Sequence, residues 1–313
     1  MPSKTGQMKI GFGLPIAVAW ATAENIIRFA KRAEDAGYSS LWTFQRLLVA
    51  VERNSPAHYR SVLDPLHSLT FAAAHTSRIR LGVGLIKFPF VSPTFLAKQA
   101  ATIDVLSKGR FILGLGPGIE EEEFVANGAN SDRQEERAEE YVAVVRSFFD
   151  DEVTAFKGEF YEIPPSRMAP KPVQNPRLPI LLGGVGPSAL RQAARIADGW
   201  LSGSATDLTK IAADITLVRK AAQESGRDPA TVRVVHRGAV RVGTSQSDAT
   251  GERTRLTGSV DQIRSDSAWL EEQGIDELFY DLNWDPLVGS LEVSEQQAVM
   301  RGEKILESLA PNR

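Results

Sequence analysis

Eight times along this chain a short apolar run gives way to a longer stretch with helical periodicity. That alternation constrains the fold more than any other feature. The runs are MKIGFGL (8–14), SSLWTF (39–44), RIRLGVGLI (78–86), RFILGLG (110–116), PILLGG (179–184), GWLSG (199–203), VRVVHRGAV (232–240) and ELFYDL (277–282). Each reads as a strand. Helical patterns follow at 21–37, 64–76, Pro93–Leu106, Arg133–Phe149, from Pro187 onward, 207–225, 259–273 and near 294–309. In the first of these Ile26, Ile27, Ala30, Ala33 and Ala36 share a face, and Gly37 stands where a helix ends. Strands separated by helix-length crossovers pair in parallel, because no hairpin can join them. Eight such units close into an α/β fold, the (β/α)8 TIM barrel, and 313 residues suit that fold with one insertion. An open doubly wound sheet is the competing architecture.

The alternation lapses once. VTAFKGEFYEIPPSRMAPKPVQNPRLP, within about 151–178, carries two extended pieces around Lys157-Gly158 and then a proline-rich connection. It reads as a hairpin insertion after the fourth βα unit. No linker or low-complexity tract divides the chain, so one domain is expected over 1–313, with a disordered lead over 1–7. The net charge of −3 supplies no field for nucleic acid or an anionic membrane. No apolar run reaches the roughly 18 residues of a membrane span, and the N-terminus lacks the apolar core of a signal peptide. The absence of cysteine removes disulfides and thiolate chemistry, and fits a cytoplasmic location. His58, His67, His75 and His236 show no metal-binding spacing, so no metal is expected.

In such a barrel the chemistry belongs to the loops that follow each strand. Those loops begin at Gly13, at Gln45 and Arg46, at Gly84 to Lys87, at Gly116-Pro117-Gly118, at Gly183-Gly184-Val185-Gly186, at Ser202, at Gly238 and at Asn283. Glycine is common at strand–helix turns for local reasons alone. Several on one face also suit backbone that lies against a large flat ligand. The GLGPG stretch lacks the third glycine of a dinucleotide fingerprint and fits a pocket wall better than a Rossmann turn. Gly183, Gly184 and Gly186 precede a helix start, where free N–H groups favour an anion such as phosphate.

LGVGLIKFPFVSPTFLAKQAATIDVLSKGRFILGLGPG, GGVGPSALRQAARIADGW and SLWTFQRLLV together resemble blocks of the bacterial luciferase-like monooxygenase superfamily. The RLLV and GGxGPxALRxAA forms are most similar to the branch that uses the deazaflavin coenzyme F420. The resemblance implies an enzyme, an F420-dependent oxidoreductase passing hydride between the deazaflavin and a small organic substrate, and commonly a homodimer. An FMN-dependent monooxygenase and a non-catalytic flavin-binding protein are the alternatives. The resemblance also implies a bulge at Gly84 and Leu85, often with a cis peptide, that buttresses the ring, and a phosphate at Gly183–Gly186. The F420 branch often has Asp-His or Asp-Arg after strand two. Gln45-Arg46 stands there instead, so Arg46 is expected to hold an anion while the proton donor has no obvious residue. Ile119 stands where, by the same resemblance, some relatives carry a catalytic glutamate or an aromatic.

Glu120–Glu123 reads as a solvated helix start, with a catalytic acid as the rarer alternative. Trp20, Trp42 and His236 read as core. Arg53, Lys87, Arg167 and Lys171 are expected in loops on the working face, where they would meet a polyanionic cofactor tail. The covers of the pocket are expected at 46–63, 117–132 and 155–178.

Overall fold

The computed structural model describes residues 7–247 and 251–311. The expected lead over 1–7 lies, apart from Gln7, outside them. The barrel strands, numbered one to eight below, are Lys9–Gly13, Ser40–Thr43, Arg80–Lys87, Phe111–Gly116, Ile180–Gly183, Gly199–Ser202, Arg233–Ala239 and Glu277–Asp281. They pair in parallel in chain order, and strand eight closes on strand one, with Lys9 opposite Glu277 and Phe12 opposite Tyr280. The barrel is closed, which settles the choice against an open sheet.

A helix follows each strand, and its start is written locally. Thr22, Asp64 and Ser92 cap their helices by accepting the N–H three residues on. Ser259 with Gln262 and Ser294 with Gln297 form full capping boxes, which satisfy two otherwise orphaned N–H groups each. The expected helix over 207–225 divides into a 3-10 turn, Leu208–Lys210, and a helix, Ile211–Glu224. The helix start expected at Glu120–Glu123 is a short helix, Glu121–Ala126, after strand four. One feature escaped the sequence reading: a two-stranded pairing of Arg241–Val242 with Thr257–Gly258 follows strand seven.

Inside the barrel, Trp42, Ile112, Leu181, Leu201, Val235 and Phe279 form their own apolar cluster. Trp42 and Phe279 stack with ring centroids 4.7 Å apart. Gly82 exists to make this possible, because a Cβ there would lie 2.5 Å from the Trp42 ring. Below the stack, Glu277 accepts from Ser40, from Trp42 Nε1 at 2.9 Å and from Arg233 at 2.7 Å, which seals the N-terminal end with a satisfied polar plug. Trp20 is fully buried against Phe29, between barrel and helices. His236 is equally buried, with its Nδ1 2.7 Å from Ser202 Oγ.

The insertion is a hairpin, Thr154–Lys157 against Glu162–Ser166. It climbs the outside of the helix Gln134–Asp150, where Glu140 accepts the N–H groups of Glu159, Phe160 and Tyr161. Its tip reaches the mouth-side start of that helix, where Glu159 pairs with Arg133 and Phe160 lies under the Arg133 and Arg137 guanidinium groups. The chain then returns to the closed end. Lys171 donates to the carbonyls of Phe148 and Asp151 at the end of that helix, and Gln174 bonds Asp104 and Arg80. The reason is topological: a helix-to-strand connection begins and ends on the N-terminal face of a parallel barrel. The expectation that 155–178 covers the mouth is therefore corrected for the proline-rich return, and with it the position of Lys171. Arg167 pairs with Glu152 at the foot of the same insertion.

Candidate functional site

Alternation along the strands decides what the mouth presents. Trp42, Val235 and Phe279 point inward, so Phe44, Arg237 and Asp281, two residues on, do so at the rim. Strands three to six instead end in glycine-rich backbone. The mouth thus has a bare half and a half furnished with side chains.

On the bare half, strand three breaks register with strand four between Val83 and Ile86, and the Gly84–Leu85 peptide is cis. The bulge turns Leu85 over the inner cluster, where it is half-buried. A Cβ at Gly116 would fall 2.5 Å from a Leu85 methyl, and one at Gly183 would fall 2.4 Å from it. This corrects the reading of these glycines as a bare wall for a ligand. They make room for Leu85, and Leu85 supplies the apolar floor. Gly118, with φ of +74°, packs beneath the Phe90 and Phe124 rings, and Pro117 O accepts weakly from Gln134. Gly13 lies at the opposite edge, beside Asp281.

The turn after strand five is exposed. Val185 occupies the N-cap position of the helix Gly186–Ile196 without a side-chain cap, and Gly186 has φ of +82°. The first-turn N–H groups point outward, as an anion site requires. Gly184 sits against the helix, where a Cβ would come within 2.7 Å of Ala189. The Ser188 hydroxyl donates to Glu135 at 2.6 Å, so it is not available to a ligand.

The largest departure from expectation lies between the halves. Glu120 and Glu123 are buried, not solvated. Lys87, itself buried, reaches both carboxylates, lying 3.1 Å from Glu120. Glu120 also pairs with Arg46 at 2.7 Å, and Glu123 accepts the Leu47 N–H at 2.9 Å. Burial works to raise the Glu120 pKa, but Lys87 and Arg46 together hold it below the usual carboxylate range. Gln45 accepts the Lys87 N–H at 2.9 Å. Arg46, stacked 4.3 Å over Tyr59, is therefore already neutralised, and the expectation that it holds an anion is corrected. Lys87 is likewise occupied, and Arg53 pairs with Glu122 at 2.9 Å. Of the four cations expected to meet a polyanionic tail, Lys87 and Lys171 are occupied within the structure, while Arg53 and Arg167 hold exposed surface pairs. The sequence signal was present: acidic residues three apart share a helix face, and here that face turns toward Lys87.

The furnished half holds Arg237 and Asp281, a pair the sequence reading did not single out. Arg237 Nε donates to Asp281 at 2.7 Å, and its guanidinium lies 4.4 Å over the Phe44 ring. Burial opposes ionisation of Asp281, but Arg237 and the Asn283 N–H hold its pKa low.

A family model described as luciferase-like monooxygenase matches residues 6–298. The chain belongs to that family. Its relatives include an uncharacterized protein of Mycobacterium tuberculosis, 34% identical over 221 residues that span 67% of this chain and 75% of the relative. The luciferase-like barrel superposes on a monooxygenase of Streptomyces bottropensis with a TM-score of 0.78, at 21% identity over 97% of this chain and 99% of that one. It also superposes on the coenzyme F420 dependent tetrahydromethanopterin reductase of Methanopyrus kandleri, with a TM-score of 0.76 at 17% identity over 98% of both chains. Among the described residues of this luciferase-like chain, no helix is long and apolar enough to cross a membrane. Nor do three or more His, Asp or Glu side chains gather to hold a metal.

Proposed function

We propose that the protein is an F420-dependent oxidoreductase, with the deazaflavin ring on Leu85 and its phosphate at the turn Gly184–Gly186. The observation that carries this reading is the strand-three bulge, which lifts one half-buried leucine into a mouth otherwise lined there by backbone. A flat, mostly apolar ring fits such a floor, and burying it contributes about 25 cal/mol per Å2 of apolar area. The exposed N–H groups of Val185, Gly186 and Ser188 suit the phosphate without any lysine. Bound F420 would supply hydride exchange with a small organic substrate. The chain itself would orient the ring through Leu85, keep water from its lower face, and fix Gln45 and Arg46 beside it through Lys87 and Glu120.

The blocks RLLV and GGxGPxALRxAA favour F420, as does the fold shared with an F420-dependent reductase. The FMN-dependent monooxygenase is the second reading, favoured by the fold shared with a monooxygenase. Fluorescence titration with F420 and FMN side by side tests the choice. F420 should bind about tenfold tighter, a difference of ~1.4 kcal/mol. Equal or inverted affinities would promote the monooxygenase, and no binding of either would overturn all of these readings; turnover separates a non-catalytic flavin-binding protein from the two enzymes.

A further inference from the structure

Along strand seven the side chains divide by parity. Val234, His236 and Val240 are buried toward the helices. Arg233 reaches the plug at Glu277, Val235 joins the inner cluster, and Arg237 meets Asp281 at the rim. The chain keeps its course past Ala239. The Val240 N–H bonds the Asp281 carbonyl at 3.1 Å, and the Val242 N–H bonds an Asp285 carboxylate oxygen at 3.1 Å. The alternation therefore sets Ala239 and Arg241 on the barrel side, above Arg237. Both are half-buried, so solvent reaches them, and only the methyl of Ala239 separates the two arginines on that face.

Arg241 stands in this corner without a counter-ion. Arg46 pairs with Glu120, Lys87 with Glu120 and Glu123, Arg237 with Asp281, and Arg301 with Asp285. Among the described residues the Arg241 guanidinium has no ion pair and no hydrogen bond. His58 adds no charge near neutrality, because burial, helped by Arg237, Arg46 and Arg241, pushes its pKa down to about 4. Arg301 and Asp285 cancel. Arg46, Lys87, Arg237 and Arg241 then face Glu120, Glu123 and Asp281, which leaves one positive charge in surplus. A half-buried guanidinium has given up part of its hydration, and its planar fork of donors matches the paired oxygens of a carboxylate or a phosphate. An uncharged group would leave the surplus where it is.

We propose that Arg241 holds an oxyanion of the substrate, a carboxylate or a phosphate, in the notch above Ala239, with Arg237 beneath it kept in place by Asp281. The substrate class is then a small organic acid or phosphate ester. The proposal rests on reading this mouth as the reaction site, but not on which cofactor enters it. The tail of F420 carries the same chemistry, and the two sources respond differently to the loss of Arg241.

Ligand-observed NMR on the full chain without cofactor reads the substrate. The probes are cyclohexanecarboxylate and cyclohexanol, which share a ring and differ in charge. The carboxylate should bind about tenfold tighter than the alcohol. Arg241→Gln should erase that preference, and Arg241→Lys should keep part of it. Arg60→Gln, which removes an exposed cation from the loop after strand two, should leave it whole. Thermal melts check folding. Should Arg241→Gln melt early, Ala239→Glu decides instead, because it sets a carboxylate of the chain itself in the notch and should erase the preference in the same way. A carboxylate bound no tighter than the alcohol, a preference unchanged in Arg241→Gln, or an equal loss in Arg60→Gln would each overturn the proposal. So would a weakened F420 titration in Arg241→Gln beside intact carboxylate binding, which would give the arginine to the cofactor tail. A failed F420 titration of the parent chain, with the carboxylate preference intact and lost in Arg241→Gln, would support this site and count against the cofactor assignment alone.

Discussion

Glu123 has no exposed surface, and it serves two partners, the Lys87 ammonium and the Leu47 N–H. Removing it leaves Lys87 buried with only Glu120, which Arg46 already shares. Uncompensated buried charge of this kind costs ~3 kcal/mol or more, far above the value of a surface pair. Glu123→Ala should lower the denaturation free energy by about that amount, and Glu123→Ala with Lys87→Met should recover part of it. A loss in the single variant below about 1 kcal/mol would show that the pair is solvated in solution.

The two buried histidines act on stability through pH. His58 and His236 both have pKa values pushed by burial from 6.5 to about 4. For His58, Asp281 opposes the shift while Arg237, Arg46 and Arg241 add to it. A depressed folded value means the fold holds these rings neutral, while the unfolded chain takes up the protons first. Stability is therefore whole above about pH 6.5 and falls progressively toward pH 4. The melting temperature should drop across that window, and His236→Gln, which preserves a partner for Ser202, should flatten the drop. A pH-independent melting temperature between 7 and 5 would contradict both burials.

At the level of elements, the turn before the helix Gly186–Ile196 offers a test in which fold and ligand respond in opposite directions. Val185 holds the N-cap position with φ of −125° and ψ of 151°, which is ordinary cap geometry without a cap. Aspartate there would accept a first-turn N–H and stabilise the helix by ~1 kcal/mol. It would also set a negative charge where the phosphate is proposed to lie. Val185→Asp should therefore raise the melting temperature and abolish cofactor binding. Raised stability with unchanged binding would move the phosphate elsewhere. Gly184→Val would not serve as such a test, because its side chain would collide with Ala189 before it met any ligand.

The elements themselves were legible because each carries its own signal. Ser259 with Gln262 marks a helix start by sequence alone, and Gly158 marks a hairpin tip. Leu85 was legible as a bulge position from the LGVGLI run and the family resemblance. What the glycines at 116 and 183 leave room for was not, since it depends on a leucine one strand away from the first and two from the second. The same limit hid Glu120 and Glu123. A run of glutamates reads as a solvated helix start until tertiary contacts turn one face of it onto Lys87. Arg237 and Asp281 lie in strands separated by a helix, so only the register between strands seven and eight, with Asp281 opposite Ala239, brings them together.

For the whole molecule, eight βα units implied closure, and the polarity of a parallel barrel then assigned every loop to one end or the other. That rule was applied to the strand ends and not to the insertion, which is why the proline-rich return to strand five was expected over the mouth. The covers that remain are the loops after strands two and four, tied together by Arg53 and Glu122 and by Arg46 and Glu120.

The polar plug around Glu277 and the stacked Trp42 and Phe279 make the barrel a vessel with a single opening. Two guests that share such a vessel must queue. If the ring lies on Leu85 at the bottom, the substrate enters second and its product departs first, so turnover should follow a compulsory order with the cofactor leading. Steady-state product-inhibition patterns check this: reduced and oxidised cofactor should compete only with one another. A random-order pattern would mean that the ring leaves a second passage open beside it.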